Sequence, residues 1–312
     1  MSWILLATLG QFLNAIVAML DKYIVSDAKA LPRPFVYAFY SCLVTSGWIV
    51  IFFIAYIPGL RELGLPSFAD VEKPSIQVVA MAFLAGYTFF MALVSMFDAL
   101  KNSDASDVMP AIGGISALSS FGMSYLFLNM TPSPNFIWGI LFLSFGTFLL
   151  SHVRLSHNRS LVLHVVHSGI FFALHYIVMK GLFMETSFAD GFFWSRIGFM
   201  LFALSLLLVP VYFDKIVEQT KTTSKRTGVL VFGTKILAGI AAFMLLKATD
   251  LGDVTVVQAL DGLKFAFIIL LGVLVGRFIP RTAGENVFDF KTLIRKSLYI
   301  AIISIGFVIL FI

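Results

Sequence analysis

Ten apolar runs, each long enough to cross a lipid bilayer, occupy most of this chain and leave it one broad class of fold. A spanning helix takes roughly 17–25 mainly apolar residues. Inside hydrocarbon the backbone must satisfy its own hydrogen bonds, which long single runs do as helices. The runs cover residues 2–20, 34–57, 75–100, 105–128 and 135–152, then 161–183, 191–213, 228–246, 253–278 and 294–312. Short polar links join them, the longest being 58–74 and 214–227. With 59% of residues hydrophobic and only 12% charged, against about a quarter charged in soluble domains, the expectation is an all-α polytopic membrane protein. A net charge of +5 does not make it a nucleic-acid binder, because the basic residues sit in links beside the runs, where they set orientation. The single cysteine, Cys42, cannot form an internal disulfide. The first run has no basic leader or small-residue cleavage site, so it is expected to stay as a helix.

The runs are not ten independent events. Leu100-Lys101-Asn102-Ser103-Asp104-Ala105-Ser106-Asp107-Val108 returns 146 positions later as Leu246-Lys247-Ala248-Thr249-Asp250-Leu251-Gly252-Asp253-Val254, with five of nine residues identical. Each copy is a polar hinge between two apolar runs, and the run that follows ends near Pro134 or Pro280. The two longest links are also equivalent between the halves. The chain therefore reads as one five-helix unit used twice, residues 1–156 and 157–312. An odd number of spans makes the second copy enter from the opposite side, so the copies are expected to be inverted repeats. That architecture, with a site near the midplane between the repeats, is characteristic of secondary transporters.

Lys and Arg number 15 in the odd-numbered links and four in the even-numbered ones. The positive-inside rule then puts the odd links in the cytoplasm and both termini outside.

The chain resembles the EamA-like transporters of the drug/metabolite transporter superfamily, over essentially its whole length. The resemblance is carried by Asn14 in a first helix running into Asp21-Lys22-Tyr23, by Asp98-Ala99-Leu100 before the first hinge, by Lys180 closing the sixth helix, by Arg196 early in the seventh, and by the second hinge. It implies a bundle whose first, third, fourth, sixth, eighth and ninth helices surround a central cavity. It also implies export or exchange of small metabolites without nucleotide hydrolysis. Relatives commonly carry an Arg early in both the second and seventh helices; here Tyr40 stands at the position equivalent to Arg196, so that role does not carry over to the first half. Many relatives are drawn with cytoplasmic termini, opposite to the charge bias of this chain.

The candidate substrate-binding residues are Lys264, Asp261, Lys235, Gln258, Asn14, Tyr87 and His175. Gln258, Asp261 and Lys264 follow spacings of three within the ninth run and share one side of a helix. A charge at the bilayer centre costs at least ~2.5–3.5 kcal/mol, so Asp261, Lys264 and Lys235 are expected to face the bundle interior. Two readings stand: Asp261 and one lysine tie helices together, or the surplus positive charge receives a carboxylate or phosphate. Asp261 and Lys264 align with Ile115 and Leu118 of the first half, and a one-sided charge cluster favours binding or ion coupling.

His164, His167, Phe171 and His175 make a stripe on the sixth helix. Imidazole titrates near pH 6.5, so the stripe could relay protons, although His164 and His167 lie where interfacial histidines are ordinary. A zinc site is not expected, since no Cys or Glu lies near them. Gln11 and Asn14 share a face of the first helix. Tyr37 and Tyr40 read as site or interfacial-belt residues. Gly113, Gly114, Gly122, Gly272 and Gly276 read as packing positions, and Pro110 as a bend in the fourth helix.

Walker, nucleophile-elbow and zinc-protease sequences are absent, and an enzyme is not expected. The function read from the sequence is secondary active transport, by alternating access, of a small polar, anion-bearing metabolite such as an amino acid or organic acid. The rival is a non-transporting membrane protein, a lipid-modifying enzyme or a flippase component. No cofactor or metal is expected, and proton coupling is left open. The partners are the bilayer, expected to be a prokaryotic inner membrane, and a small-molecule metabolite. Nucleic acid is not among them, and a homodimer is compatible with the chain.

Overall fold

In the computed structural model, the described residues are 2–26, 33–57, 65–103, 105–130, 137–142, 145, 159–275, 302, 305, 306 and 309. Among them the regular elements are all helical. They are α1 (Ser2–Ser26), α2 (Pro34–Ser46), α3 (Ile76–Asn102), α4 (Ala105–Leu128), α5 (Arg159–Glu185), α6 (Phe188–Leu206), α7 (Pro210–Thr222), α8 (Lys225–Leu251), α9 (Val254–Ala259) and α10 (Leu263–Val275). A tight 3₁₀ turn, Gly47–Val50, and the short helix Ile51–Ile54 continue α2. Among the described residues six helical stretches are long and apolar enough to cross a membrane, and α6 with α7 makes a seventh if the bent pair is counted as one span. The expected fifth and tenth spans lie largely outside the described residues, as do Pro134, Pro280 and Gly276.

The helix starts follow from local chemistry. Ser75, Ser187 and Ser224 each accept a bond from the backbone N–H three residues on, and Asp253 accepts from Thr255 and Val256. Such caps satisfy donors that the first turn leaves open. Pro34 and Pro210 open α2 and α7, where a missing N–H costs nothing. Asn129, at φ 52°, takes the left-handed conformation just past α4.

The expected seventh span is corrected at its end. Residues 191–213 do not form one helix; α6 stops at Leu206, and α7 leaves at 97° to it. Pro210 removes a helical N–H, and beyond it Asp214, Lys215, Glu218 and Lys221 make the segment amphipathic, with Ile216 and Gln219 turned inward. Arg33 holds this helix at the surface by a 2.6 Å pair with Glu218, and that bond keeps the Glu218 carboxyl below the ordinary glutamate range. The expected ninth span is corrected in its middle, where Leu260–Gly262 forms a 3₁₀ turn between α9 and α10.

Packing runs mainly between the halves. α1 lies on α8, α3 on α5 and α6, α4 on α5 and α9, and α1 on α10. α1 and α8 are antiparallel, with Gly10 against Leu245 and Asp21 against Lys235. α3 and α5 are antiparallel as well, Ser168 bonding to the Ala92 carbonyl and His175 Nδ1 to the Ala85 carbonyl. The two hinges sit at opposite ends of α1. At one end, the Lys22 ammonium donates to the carbonyls of Leu100 and Ser103, at 2.5 and 2.8 Å. At the other, Gly252 lies so close to the Trp3 ring that a Cβ there would come within 2.4 Å of it. Trp3 and Lys22 are nineteen positions apart on one helix, about 28 Å, close to the ~30 Å of a bilayer's hydrocarbon.

Candidate functional site

A central cavity of about 120 Å³ is lined from α1, α2, α3, α4, α5, α8, α9 and α10. Two ion pairs give it its charge. In the first, Asp21 Oδ1 of α1 accepts from Lys235 Nζ of α8 at 2.8 Å, and both side chains are 4% exposed. The Tyr37 hydroxyl of α2 donates to the same oxygen. The ammonium lies 4.3 Å from the Tyr37 ring centre and 5.1 Å from that of Phe97, so its apolar surroundings still offer negative ring faces. Lys235 stands ten residues into α8, roughly 15 Å along it.

The second pair is built on the ninth-span break. Lys264 Nζ donates to both carboxylate oxygens of Asp261, at 2.8 and 2.9 Å. The 3₁₀ turn carries Asp261, and α4 makes room for it at Gly113: a Cβ there would stand 2.8 Å from Asp261 Oδ2. Gly113 is therefore more than the helix-packing position expected of it. Beside this pair, Ser116 of α4 donates to Gln258 Oε1 at 2.6 Å.

Of the seven candidate residues, Asn14, Lys235, Gln258, Asp261 and Lys264 line the cavity together. Tyr87 does not: it is 38% exposed, with its ring against Phe171 and Phe202. Two residues further along α3, Phe89 faces the cavity, and a two-residue step turns a helix through about 200°. His175 is buried behind the wall, its ring 5.1 Å from Phe89 and 5.6 Å from Phe199. His167, from the same stripe, meets Ser95 Oγ at 2.7 Å.

The expected grouping of charges needs correction. Lys235 does not share Asp261 with Lys264, so these lysines leave no surplus charge between them. Each has its own aspartate. The physical reason is that α1 remains helical to Ser26, which turns Asp21 inward instead of ending it in a link. Tyr37 is likewise no belt residue, being fully buried. Sequence reasoning also missed Ser41, Thr45, Ser116 and Tyr176 in the lining. Their one signal was polar groups recurring inside apolar runs.

Two further buried cations lie among the described residues, Lys180, which bonds to main-chain carbonyls, and Arg196. Arg196 of α6 is 2% exposed, with Cζ 4.6 Å from the Phe192 ring centre and 4.3 Å from that of Phe199. Its Nε and one Nη reach Ser195 Oγ at 3.4 Å, and among the described residues no carboxylate pairs with it. Nor do three His, Cys, Asp or Glu side chains converge on a metal-sized site among those residues.

No family model matches the chain, and no curated protein does. A protein of known crystal structure shares its fold end to end: the superposition covers 97% of this chain and 95% of that one, with a TM-score of 0.60 at 16% identity.

Proposed function

We propose that the chain is a secondary transporter of the EamA-like, drug/metabolite type, moving a small polar metabolite by alternating access through the central cavity. The observation that carries this reading is the two ion pairs facing one cavity, the fully buried one of which joins α1 of the first half to α8 of the second. An enzyme acting on a soluble or headgroup substrate needs its acid and base groups at an interface. Here they sit deep in apolar helices, where intramembrane charges mark substrate or ion paths.

Ten spans as two inverted five-helix repeats are part of the proposal. The hinge recurrence supports it, and so does the position of the hinges at opposite ends of α1. The helix pairings also survive exchange of the halves: α1 on α8 corresponds to α5 on α3, and α4 on α5 to α9–α10 on α1. In this scheme a substrate with an anionic and a polar group exchanges partners with the ion pairs, so that binding costs the cavity little net desolvation.

A thermal-shift screen of purified protein against a metabolite library, followed by counterflow in proteoliposomes with each stabilising compound, tests the proposal. Transport is expected for at least one stabiliser, and it should be abolished in Asp21→Asn protein that remains folded. Stabilisers that bind but never exchange across the vesicle wall would refute it.

A further inference from the structure

We infer that Arg196 makes the central cavity selective for an anion. The inference rests on the proposed function only in reading the cavity as the substrate's place. The two ion pairs cancel: Asp21 answers Lys235 and Asp261 answers Lys264. Neither lysine is then a net attractor for a substrate's negative charge. Arg196 is different. A guanidinium keeps its charge, and this one is buried with no carboxylate among the described residues to answer it. Two ring faces and a hydroxyl at 3.4 Å leave most of its five N–H donors without a strong acceptor. A buried charge without a partner is costly, so the site holds a charge that packing did not require.

One layer of side chains separates this charge from the cavity. The Phe199 ring that flanks the guanidinium stacks on Phe89 at 5.1 Å, and Phe89 forms part of the cavity wall. Tyr176, another wall residue, Cys42 of α2 and His175 of α5 are among its ionisable neighbours, and none of them is a carboxylate. Rings and thiols screen poorly, and a low-dielectric wall passes the field of a single charge into the space beyond it. With the pairs neutral, Arg196 gives the cavity a net positive potential. A carboxylate or phosphate group entering it is favoured, and an ammonium without its own anion is excluded. The residue acts through space as a specificity determinant and needs no contact with the substrate.

The test reads the potential directly. Ala242, on the cavity wall, is changed to Cys in a Cys42→Ser background, in the full-length purified protein. Labelling rates are compared for an anionic sulfonatoethyl and a cationic trimethylammonium-ethyl methanethiosulfonate. At an effective dielectric constant near 20, a unit charge ~10 Å away alters the anion-to-cation rate ratio by about tenfold or more. Arg196→Gln is expected to lower the ratio by that factor, and Arg196→Lys to keep most of it. Cys42→Asp, in place of Cys42→Ser, supplies the missing carboxylate beside Arg196 and is expected to lower the ratio equally. It decides the matter if Arg196→Gln does not fold. A ratio unchanged by Cys42→Asp overturns the inference, and so does a cysteine that reacts with neither reagent. Labelling needs no transport: if the ratio falls but proteoliposomes carry nothing, the inference stands and the transport reading fails.

Discussion

Lys180 donates from Nζ to the main-chain carbonyl of Thr249 at 2.8 Å, as Lys22 does to Ser103, the residue that matches Thr249 in the first hinge. The lysines lie 158 positions apart and the hinge residues 146, so the equivalence holds in space although the links between them differ in length. Lys180 adds bonds to the carbonyls of Asp250 and Gly252, at 2.8 and 3.0 Å. The end of a helix leaves carbonyls without intrahelical partners and carries partial negative charge. An ammonium with three donors suits it. Lys180→Met should therefore lower stability by about 1–3 kcal/mol, the cost of leaving such groups unsatisfied, and Lys22→Met by a similar amount. Chemical denaturation in detergent measures both. An unchanged midpoint for Lys180→Met would show that water replaces the ammonium and that the bonds do not brace the hinge.

The Asp21–Lys235 pair joins elements 214 positions apart and is buried on both sides. Breaking such a pair strands a charge and costs about 3–5 kcal/mol, whereas replacing both partners with apolar groups is often neutral. Asp21→Leu and Lys235→Met are each expected to destabilise strongly. The double variant should recover most of the loss and still fail to transport, because the exchangeable charges are gone. A double variant that transports at the parent rate would reduce the pair to packing.

The all-helical, membrane-type fold was legible because bilayer physics leaves so few options. Run length fixed the membrane class, and the recurring hinge gave the boundary near residue 103 and its twin at Gly252–Asp253. Helix ends were less legible. The apolar residues Val211–Phe213 extended the seventh run past Pro210, and only the proline marked the 97° bend. The 3₁₀ turn at Leu260–Gly262 lies inside the ninth run, where Gly262 after Asp261 was the whole signal. The site was half legible. Lys235, Asp261 and Lys264 stood out because charge in hydrocarbon is expensive. Asp21 did not, because an Asp-Lys pair at the end of a run looks the same as an interface. Its inward turn depends on α1 continuing one more turn, and periodicity does not show where a helix stops. Arg196 was visible as a charge near the start of the seventh run, but its burial between two rings is a matter of packing across helices.

Orientation is open to a direct measurement. Lys221 is exposed in the last turn of α7, inside the basic link that the charge bias assigns to the cytoplasm. A Lys221→Cys variant, in a Cys42→Ser background, should resist an impermeant maleimide in intact cells and react after permeabilisation. Prompt labelling of intact cells would reverse the orientation and leave the packing of the helices untouched.

Lys264 holds Asp261 by two bonds on a 3₁₀ turn, and this pair is the more open of the two, its carboxylate 16% exposed. A 3₁₀ segment inside a longer helix has weaker hydrogen bonds and often marks a hinge. The pair is thus placed where a substrate could take over the ammonium as the turn relaxes. Lys264→Met keeps the length of the side chain and removes its charge. If the ammonium receives substrate, affinity should fall tenfold or more, since a charge-assisted bond contributes about 1.5–3 kcal/mol and 1.4 kcal/mol is a decade. The folded fraction should hold, because Asp261 retains access to the cavity and to solvent. Isothermal titration with a stabilising metabolite and a melting curve of the same preparation separate the outcomes. A Lys264→Met protein that binds as tightly as its parent and melts higher would show that the lysine only neutralised its aspartate, and the site would then rest on Asp21 and Lys235 alone.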